Sequence, residues 1–526
     1  MRSALTVVLA LLLVLGGSPP RASAEPVGGS DGATVRAQPA QLPTCTDLLG
    51  AGRWPEFGVT LAYEEGDVGP DGTWGRPRLC LLHYPREDVY AAVINGIDSP
   101  EQFRAARPEA IARIRAHGTD LCSVTKYLPW GTPAQAGYTD EDLLSLPVTC
   151  PPRVVAGDAD AGQFLPTARE EVARAVQAIT SEYGWTPDQP ITTIVVSNVD
   201  SAAEVYLRYR QVLDTPQAAE AEARAGVSRL YTTLGNEVPY GNISLVNLSD
   251  PNQRTAATIG LEIQNAFGYF GVLRTIGRDL TITTGDGSNM PLWIRDGLVT
   301  RHNYRYALNG ASGGYLVEAA RALQGGTYPH LTELFDVQNT NTAIQRTDWF
   351  TVLARKYTAV LYMYDRFGAD RMKQLLQASH NKTREDVGAL LTELTGTQSV
   401  EGFEDAFNAW LRDRPRILAA NPEGRIKVEL LLYADGQRGE ALVDETSAAC
   451  TFNVRTGAAN PAQPGIVGFS VVLGPDGSFT SVRPSTYVGN SVTLSGRLVN
   501  GRLTGTYQVV NEVTGCDGGL IPFGPA

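Results

Sequence analysis

Two short stretches carry residue types and spacings that could do chemistry: Leu261-Glu262-Ile263-Gln264-Asn265, and after it Trp293-Ile294-Arg295-Asp296-Gly297-Leu298. On a helix, residues four apart stand one turn above each other. Two imidazoles in the pattern H-E-x-x-H can therefore grip one zinc ion while the intervening glutamate activates the metal-bound water. Here the first imidazole position is Leu261, which has no lone pair, and the second is Asn265, whose amide carbonyl suits zinc poorly. Glu262 alone stands where a general base would be.

The elements that must position these residues are marked in the chain. Thr167 with Glu170 predicts a capping box opening a helix over 168–183, and the β-rich run Ile191-Thr192-Thr193-Ile194-Val195-Val196 follows it. Ile243-Ser244-Leu245-Val246-Asn247-Leu248 reads as an edge strand. Asp250, Pro251 and Gln253 supply an N-cap, an N1 proline and a capping partner, which predicts a helix starting at 251 and carrying 261–265. Tyr364-Asp365-Arg366-Phe367-Gly368 and Phe403-Glu404-Asp405-Ala406-Phe407-Asn408-Ala409-Trp410-Leu411 follow in the helical tail.

Taken in this order, residues 160–415 resemble the peptidase MA-like branch of the gluzincins, a zinc metallopeptidase clan. The resemblance covers about half of the chain. It implies an α+β fold, a mixed sheet plus a helical subdomain, in which a W-[LI]-x-E-G-[LF] segment supplies the third zinc ligand. That position is Asp296, whose side chain is one methylene shorter than glutamate. The resemblance thus implies degenerate metal-ligand positions at Leu261, Asn265 and Asp296, with Glu262 at a vestigial general-base position. Neither zinc nor another cofactor is expected. Each residue also has a plain structural reading: Glu262 as a solvated or salt-bridged helix residue, Leu261 as core, Asn265 as a hydrogen-bonding cleft residue, and Asp296 as a residue capping the start of its helix.

The five histidines, His83, His117, His302, His330 and His380, offer no pair with ligand spacing. His302 follows Asp296 by six residues, which sets the two on different faces of a helix. The chain has no G-x-S-x-G elbow, Walker loop, C-x-x-C or dinucleotide fingerprint after a strand.

Arg2, the apolar run from Ala4 to Leu15 and the small residues Ala22-Ser23-Ala24 predict a signal peptide over 1–24, cleaved near Ala24. A secreted, extracellular protein with no transmembrane segment in the mature chain is expected. The six cysteines fit an oxidising compartment. Cys45, Cys80, Cys122 and Cys150 allow three pairings, of which the sequential one, Cys45 with Cys80 and Cys122 with Cys150, is preferred; Cys450 and Cys516 pair most simply with each other.

With 44 basic against 56 acidic residues the formal charge is −12, which disfavours a nucleic-acid partner. Composition divides the chain into a flexible linker over 25–43, a disulfide-stapled segment over 44–153, a degenerate peptidase-like domain over 154–418 and an antiparallel β-domain over 424–526. In the stapled segment, Ser99, Pro100 and Gln102 predict a helix to about Ala116 with Phe103, Ala106, Ala110, Ile111 and Ile114 inward. In the last segment, Arg425–Leu430 alternates. Asp476-Gly477 predicts a hairpin of Phe469–Leu473 with Phe479–Val482, and Asn500-Gly501 one of Val492–Val499 with Arg502–Val509. A small sandwich or barrel closed by Cys450–Cys516 is expected.

The function that follows is an exported, non-catalytic peptidase-like protein whose inherited cleft binds an extracellular peptide, protein or glycan. The alternatives are an active metallopeptidase or other hydrolase with an unconventional site, and a purely structural exported protein. A lone glutamate without zinc to acidify water would face a far harder amide hydrolysis.

Overall fold

The computed structural model describes residues 44–51, 58–66, 78–97, 99–130, 150–187, 191–211, 243–276, 290–307, 313–380, 382–446, 452–453, 458–459, 465–483, 490–511 and 516–526. The expected signal peptide and linker, and Cys450 with its expected partnership, lie outside them. Among the described residues no helix is long and apolar enough to cross a membrane.

The N-terminal segment runs α1 (Cys45–Ala51), β1 (Thr60–Glu65), β2 (Arg78–Tyr84), β3 (Val89–Asn95), α2 (Pro100–Ala116) and β4 (Val124–Trp130). Its sheet has the order β1-β2-β3-β4, antiparallel except for the β3–β4 pair. Helix α2 starts where its cap predicted: Ser99 accepts the Gln102 N–H at 3.3 Å, and Phe103, Ala110, Ile111 and Ile114 are buried. The four cysteines pair sequentially, Cys45 with Cys80 and Cys122 with Cys150.

A second sheet joins β5 (Arg153–Ala156), β6 (Thr192–Val196) and β7 (Ile243–Asn247), interleaved with α3 (Leu165–Tyr183) and α4 (Val199–Gln211). Among the described strands it is parallel throughout, with β7 at an edge. A mixed sheet was expected, but helix-bearing crossovers keep these strands in one direction. Both faces are covered. Ile194, Val196, Ile243 and Leu245 share a core with Phe103 and Ile114 of the N-terminal segment, whereas Val195 and Val246 face α3 and the helices beyond. A strand buried on two sides has no solvent face to show, hence the run of apolar and β-branched residues at 191–196, without a charge.

The helical region comprises α5 (Ala256–Ile276), α6 (Leu292–Tyr306), α7 (Tyr315–Gly325), α8 (Val337–Arg346), α9 (Trp349–Ala378), α10 (Arg384–Thr395) and α11 (Val400–Arg412). Helix α9 breaks its regular geometry at Gly368, whose φ of 80° favours glycine. The two tail motifs meet here: the Trp410 indole N–H donates to Asp365 at 2.8 Å, and Tyr362 packs on Phe403 and Phe407. Buried Arg355 lies 4.4 Å from the ring centroids of both Tyr328 and Phe407 and pairs with Glu404 at 2.6 Å.

The chain ends in a near-closed sheet: β8 (Arg416–Ala420), β9 (Ile426–Leu432), β10 (Arg438–Glu445), β11 (Phe452–Asn453), β12 (Ala458–Ala459), β13 (Gly465–Val472), β14 (Ser478–Arg483), β15 (Asn490–Val499), β16 (Arg502–Asn511), β17 (Cys516–Asp517) and β18 (Ile521–Pro525). Described pairings are antiparallel apart from one parallel bridge of β11 to β13. The hairpin at Asn500-Gly501 forms as expected, with φ of 49° and 74° at the two turn residues. The expected hairpin at Asp476-Gly477 is corrected. Strand β13 pairs with β10 and β14 with β15, so the turn links two ends of the sheet instead of a ladder. Side chains stitch that seam, Ser481 donating to the Ser470 carbonyl at 2.7 Å and Arg483 to that of Gly468 at 2.8 Å.

The β-region docks on the helices through backbone contact. A Cβ built on Gly468 would lie 2.0 Å from the Gly313 carbonyl carbon. Buried Glu440 accepts the Leu316 N–H at 3.0 Å and the hydroxyls of Tyr357 and Tyr433 at 2.9 and 2.8 Å. Gly468→Ala is therefore expected to lower unfolding stability in urea by about 1–3 kcal/mol, because the added methyl meets backbone that cannot rotate away. An unchanged unfolding midpoint would show that the two regions do not press together there.

Candidate functional site

Helix α5, which carries 261–265, begins later than the sequence predicted. Pro251–Gln253 forms one 3₁₀ turn, in which Gln253 does reach Asp250 at 3.0 Å, and the α-helix starts at Ala256. Arg254 intervenes: its guanidinium donates to the carbonyls of Leu248 and Ser197 at 3.0 and 2.6 Å, pinning the chain to the end of the sheet. The Thr255 hydroxyl then caps the helix by accepting the Thr258 N–H at 3.1 Å. Helix α3 differs likewise. It starts at Leu165 with Pro166 in its first turn and no side-chain cap, so the predicted Thr167–Glu170 box is not what opens it.

Close approaches lock α5 in place. A Cβ on Gly271 would sit 2.5 Å from the Tyr183 ring of α3, and one on Gly268 would sit 3.2 Å from the His302 imidazole of α6. On the sheet-facing side, Glu262 is fully buried, and its Oε2 accepts the Asn247 N–H of β7 at 2.6 Å. Its Oε1 has no hydrogen-bond partner among the described residues. Burial raises the Glu262 carboxyl well above the usual 4.5, with the Asn247 N–H working in the opposite direction. Glu262 is thus buried, and no salt bridge reaches it among the described residues, which corrects the plain structural reading of it. It is a buried acid that secures the edge strand.

The next residues face α6. Leu261 is half-buried against Tyr304 and Ala307, Asn265 accepts a hydrogen bond from the Asn303 amide, and Gln264 Oε1 lies 3.1 Å from His302 Nε2. His302 packs on the rings of Tyr183 and Tyr306. Burial, then Arg301 and Arg305, push its pKa down to about 3, so the imidazole is neutral and gives its Nε2 proton to Gln264. Sequence reasoning missed Asn303 and the Gln264–His302 pair, since partners 38 residues apart carry no spacing signal.

Asp296 sits inside α6, which starts at Leu292, and caps nothing; the expected capping role is corrected. Its carboxylate pairs with Lys356 of α9 at 2.7 Å and with Arg295 at 2.8 Å. Burial opposes its ionisation, but Arg295 and Lys356 outweigh that and hold the Asp296 carboxyl below the usual range. The glycine that follows is required by packing, because a Cβ on Gly297 would lie 2.4 Å from the Lys356 carbonyl oxygen. Lys356 and Arg295 are the residues that decide the state of Asp296.

These contacts give the three positions that the resemblance implies as metal ligands different partners. No hydrogen bond or ion pair among the described residues joins Asp296 to Leu261 or Asn265. Asn265 meets Asn303, two turns beyond Asp296 and about 10 Å further along the helix axis. Tested against zinc, Leu261 offers no donor atom, the Asn265 carbonyl is engaged by Asn303, and the Asp296 carboxylate is neutralised by two cations. The residues do not fit the ion. Nor do any three His, Cys, Asp or Glu among the described residues group as a metal site.

A crevice of about 330 Å³ opens at the end of β5, lined by Arg86, Gly157, Asp158 and Ser201. Its charges are engaged. Arg86 bonds the Gly157 carbonyl and Glu204 at 3.1 and 3.0 Å, and Asp158 accepts from Ser197 and Ala161. No protein-family model, curated protein or solved structure matches this chain.

Glu262 makes stability depend on pH in a defined direction. With its folded-state value raised, the folded protein keeps a proton that the unfolded chain releases above about pH 4.3. The stability linked to this group is full in acid and declines as pH rises through the folded-state value. Glu262→Gln, which cannot ionise, should gain on the wild type by about 1–3 kcal/mol between pH 4 and pH 8 in chemical denaturation. A gap that stays constant or shrinks with pH would mean that the ionised carboxylate is the native form.

Proposed function

We propose that residues 154–418 are a gluzincin-like domain whose metal site has degenerated, and that the chain is an exported, non-catalytic peptidase-like protein. In this reading the face between α5 and α6 binds an extracellular peptide, protein or other ligand. The observation that carries it is the state of Glu262: the residue at the implied general-base position is sealed from solvent and bonded to the backbone of β7. A general base must reach a water or substrate proton, and this carboxylate reaches a structural N–H.

Three further features support the reading. The order expected from the resemblance recurs in space, helix α3, strands β6 and β7, helix α5, then α6 with its Trp-Ile-Arg-Asp-Gly segment and a helical tail. Lys356 gives Asp296 a buried cationic partner at the position where the resemblance implies a metal ligand. On the open side of α5, Leu261, Asn265 and Tyr269 recur every fourth residue and are half-buried, with Asn303 and Tyr304 of α6 beside them. This strip offers apolar surface with the half-buried amide side chain of Asn265 in it, a combination that suits a peptide main chain. The two disulfides support export to an oxidising compartment.

Elemental mass spectrometry of the purified mature protein, paired with a chelator-sensitive peptide-library cleavage assay, tests the non-catalytic reading. Neither stoichiometric zinc nor cleavage is expected. Zinc at one per chain together with chelator-sensitive turnover would overturn it. Peptides selected on the immobilised protein should weaken about tenfold or more against Leu261→Arg and bind Glu262→Gln normally. Selected peptides indifferent to Leu261→Arg would remove the α5–α6 face from the proposal.

A further inference from the structure

We propose that a second groove, between α10 and α11, binds a basic peptide, seating a small aliphatic side chain on its floor and lysine or arginine against its carboxylates. The groove encloses about 520 Å³, within the range of small-ligand sites. Phe335, Gly388, Ala389 and Val400 make its apolar part, and the exposed carboxylates of Glu385 and Glu401 line it with them. It shares no residue with the α5–α6 face and does not depend on the reading of that face.

Charge complementarity selects the occupant. None of the residues lining the groove is basic. Arg346, on the adjoining α8, is held by both oxygens of Glu333 at 2.8 and 2.9 Å. Glu385 and Glu401 stand in the first turns of α10 and α11, where the helix dipole favours the ionised form. The Glu401 N–H and the Ser399 hydroxyl hold the Glu401 carboxyl below the usual range. A chain of net charge −12 also draws cationic partners to its surface. An anionic or purely apolar ligand would meet these two charges without compensation.

Gly388 adds an independent observation. It lies inside α10, where alanine would favour the helix. Packing does not demand a glycine, because a Cβ there would meet the Phe335 ring at 3.5 Å and Val400 Cγ2 at 3.9 Å, ordinary contact distances. What the missing side chain does is keep the floor open. In this proposal a larger residue at this position takes up space on the groove floor that the occupant would use.

Fluorescence anisotropy on the mature full-length protein tests the proposal, with a fluorescein-labelled Gly-Lys-Leu-Lys-Gly peptide as probe. Saturable binding that weakens with added salt is expected, with none for the Gly-Glu-Leu-Glu-Gly counterpart. Gly388→Leu and the double variant Glu385→Lys/Glu401→Lys should each weaken binding about tenfold or more. Gly388→Ala, which adds one methyl, should fold as the wild type and weaken binding less than Gly388→Leu. No saturable binding, equal affinity in Gly388→Leu with native unfolding behaviour, or spermidine binding as tightly as the peptide would each overturn the proposal. The last outcome would reduce the groove to ionic attraction alone.

Discussion

A carboxylate taken out of water must find donors or give up its charge, and this molecule is assembled around side chains under that constraint. Glu262 ties α5 to the edge strand through the Asn247 N–H. Glu404 joins α11 to Arg355 of α9 and to the Leu331 backbone. Glu440 fastens the terminal β-region to the start of α7 and to two tyrosine hydroxyls. Each of these acids is almost fully buried, and each bridges segments far apart in sequence. Removing one partner would strand a buried polar group, so these links specify which elements meet as well as how firmly they hold.

The same constraint explains why two carboxylates of one candidate site end in opposite states. Asp296 receives Lys356 and Arg295 and stays ionised, whereas Glu262 receives a single backbone N–H and is driven towards its neutral form. Glu262 is sealed from solvent, and Asp296 is held between two cations. A hydrolytic site needs a group whose proton can be exchanged with substrate, and such exchange requires access. The half-buried strip of α5 remains accessible, and the proposed reading assigns ligand recognition to it.

The regions flanking the helices are less accessory than their positions at the chain ends suggest. The disulfide-linked N-terminal sheet covers one face of the parallel sheet, sharing a core with Ile194, Val196, Ile243 and Leu245. The terminal β-region presses backbone against backbone at Gly468 and Gly313, leaving no room for a Cβ. Both contacts hold the elements that carry the candidate site from the outside. Helix α5 is hemmed in from within by the Tyr183 and His302 rings lying against its glycines. The site helix therefore has little room to shift, so the face proposed to bind a ligand is preformed.

Much of this organisation was legible in the chain, because it rests on local chemistry. Ser99 and Pro100 set the start of α2, Asn500-Gly501 set a hairpin through positive φ, and the β-rich run at 191–196 announced a strand. The substitutions at Leu261 and Asn265 were likewise visible, since a side chain without a lone pair needs no fold to disqualify it as a ligand. Other features were decided only in three dimensions. Arg254 delayed α5 by bonding to carbonyls of the sheet, and β13 left its hairpin partner because the sheet curls back on itself. Lys356 lies 60 residues from Asp296, and Asn303 lies 38 from Asn265. Caps, turns and periodicity act over a few residues and can be read along the chain. Burial and ion pairing depend on which distant segments come into contact, and that is fixed by packing of the whole molecule.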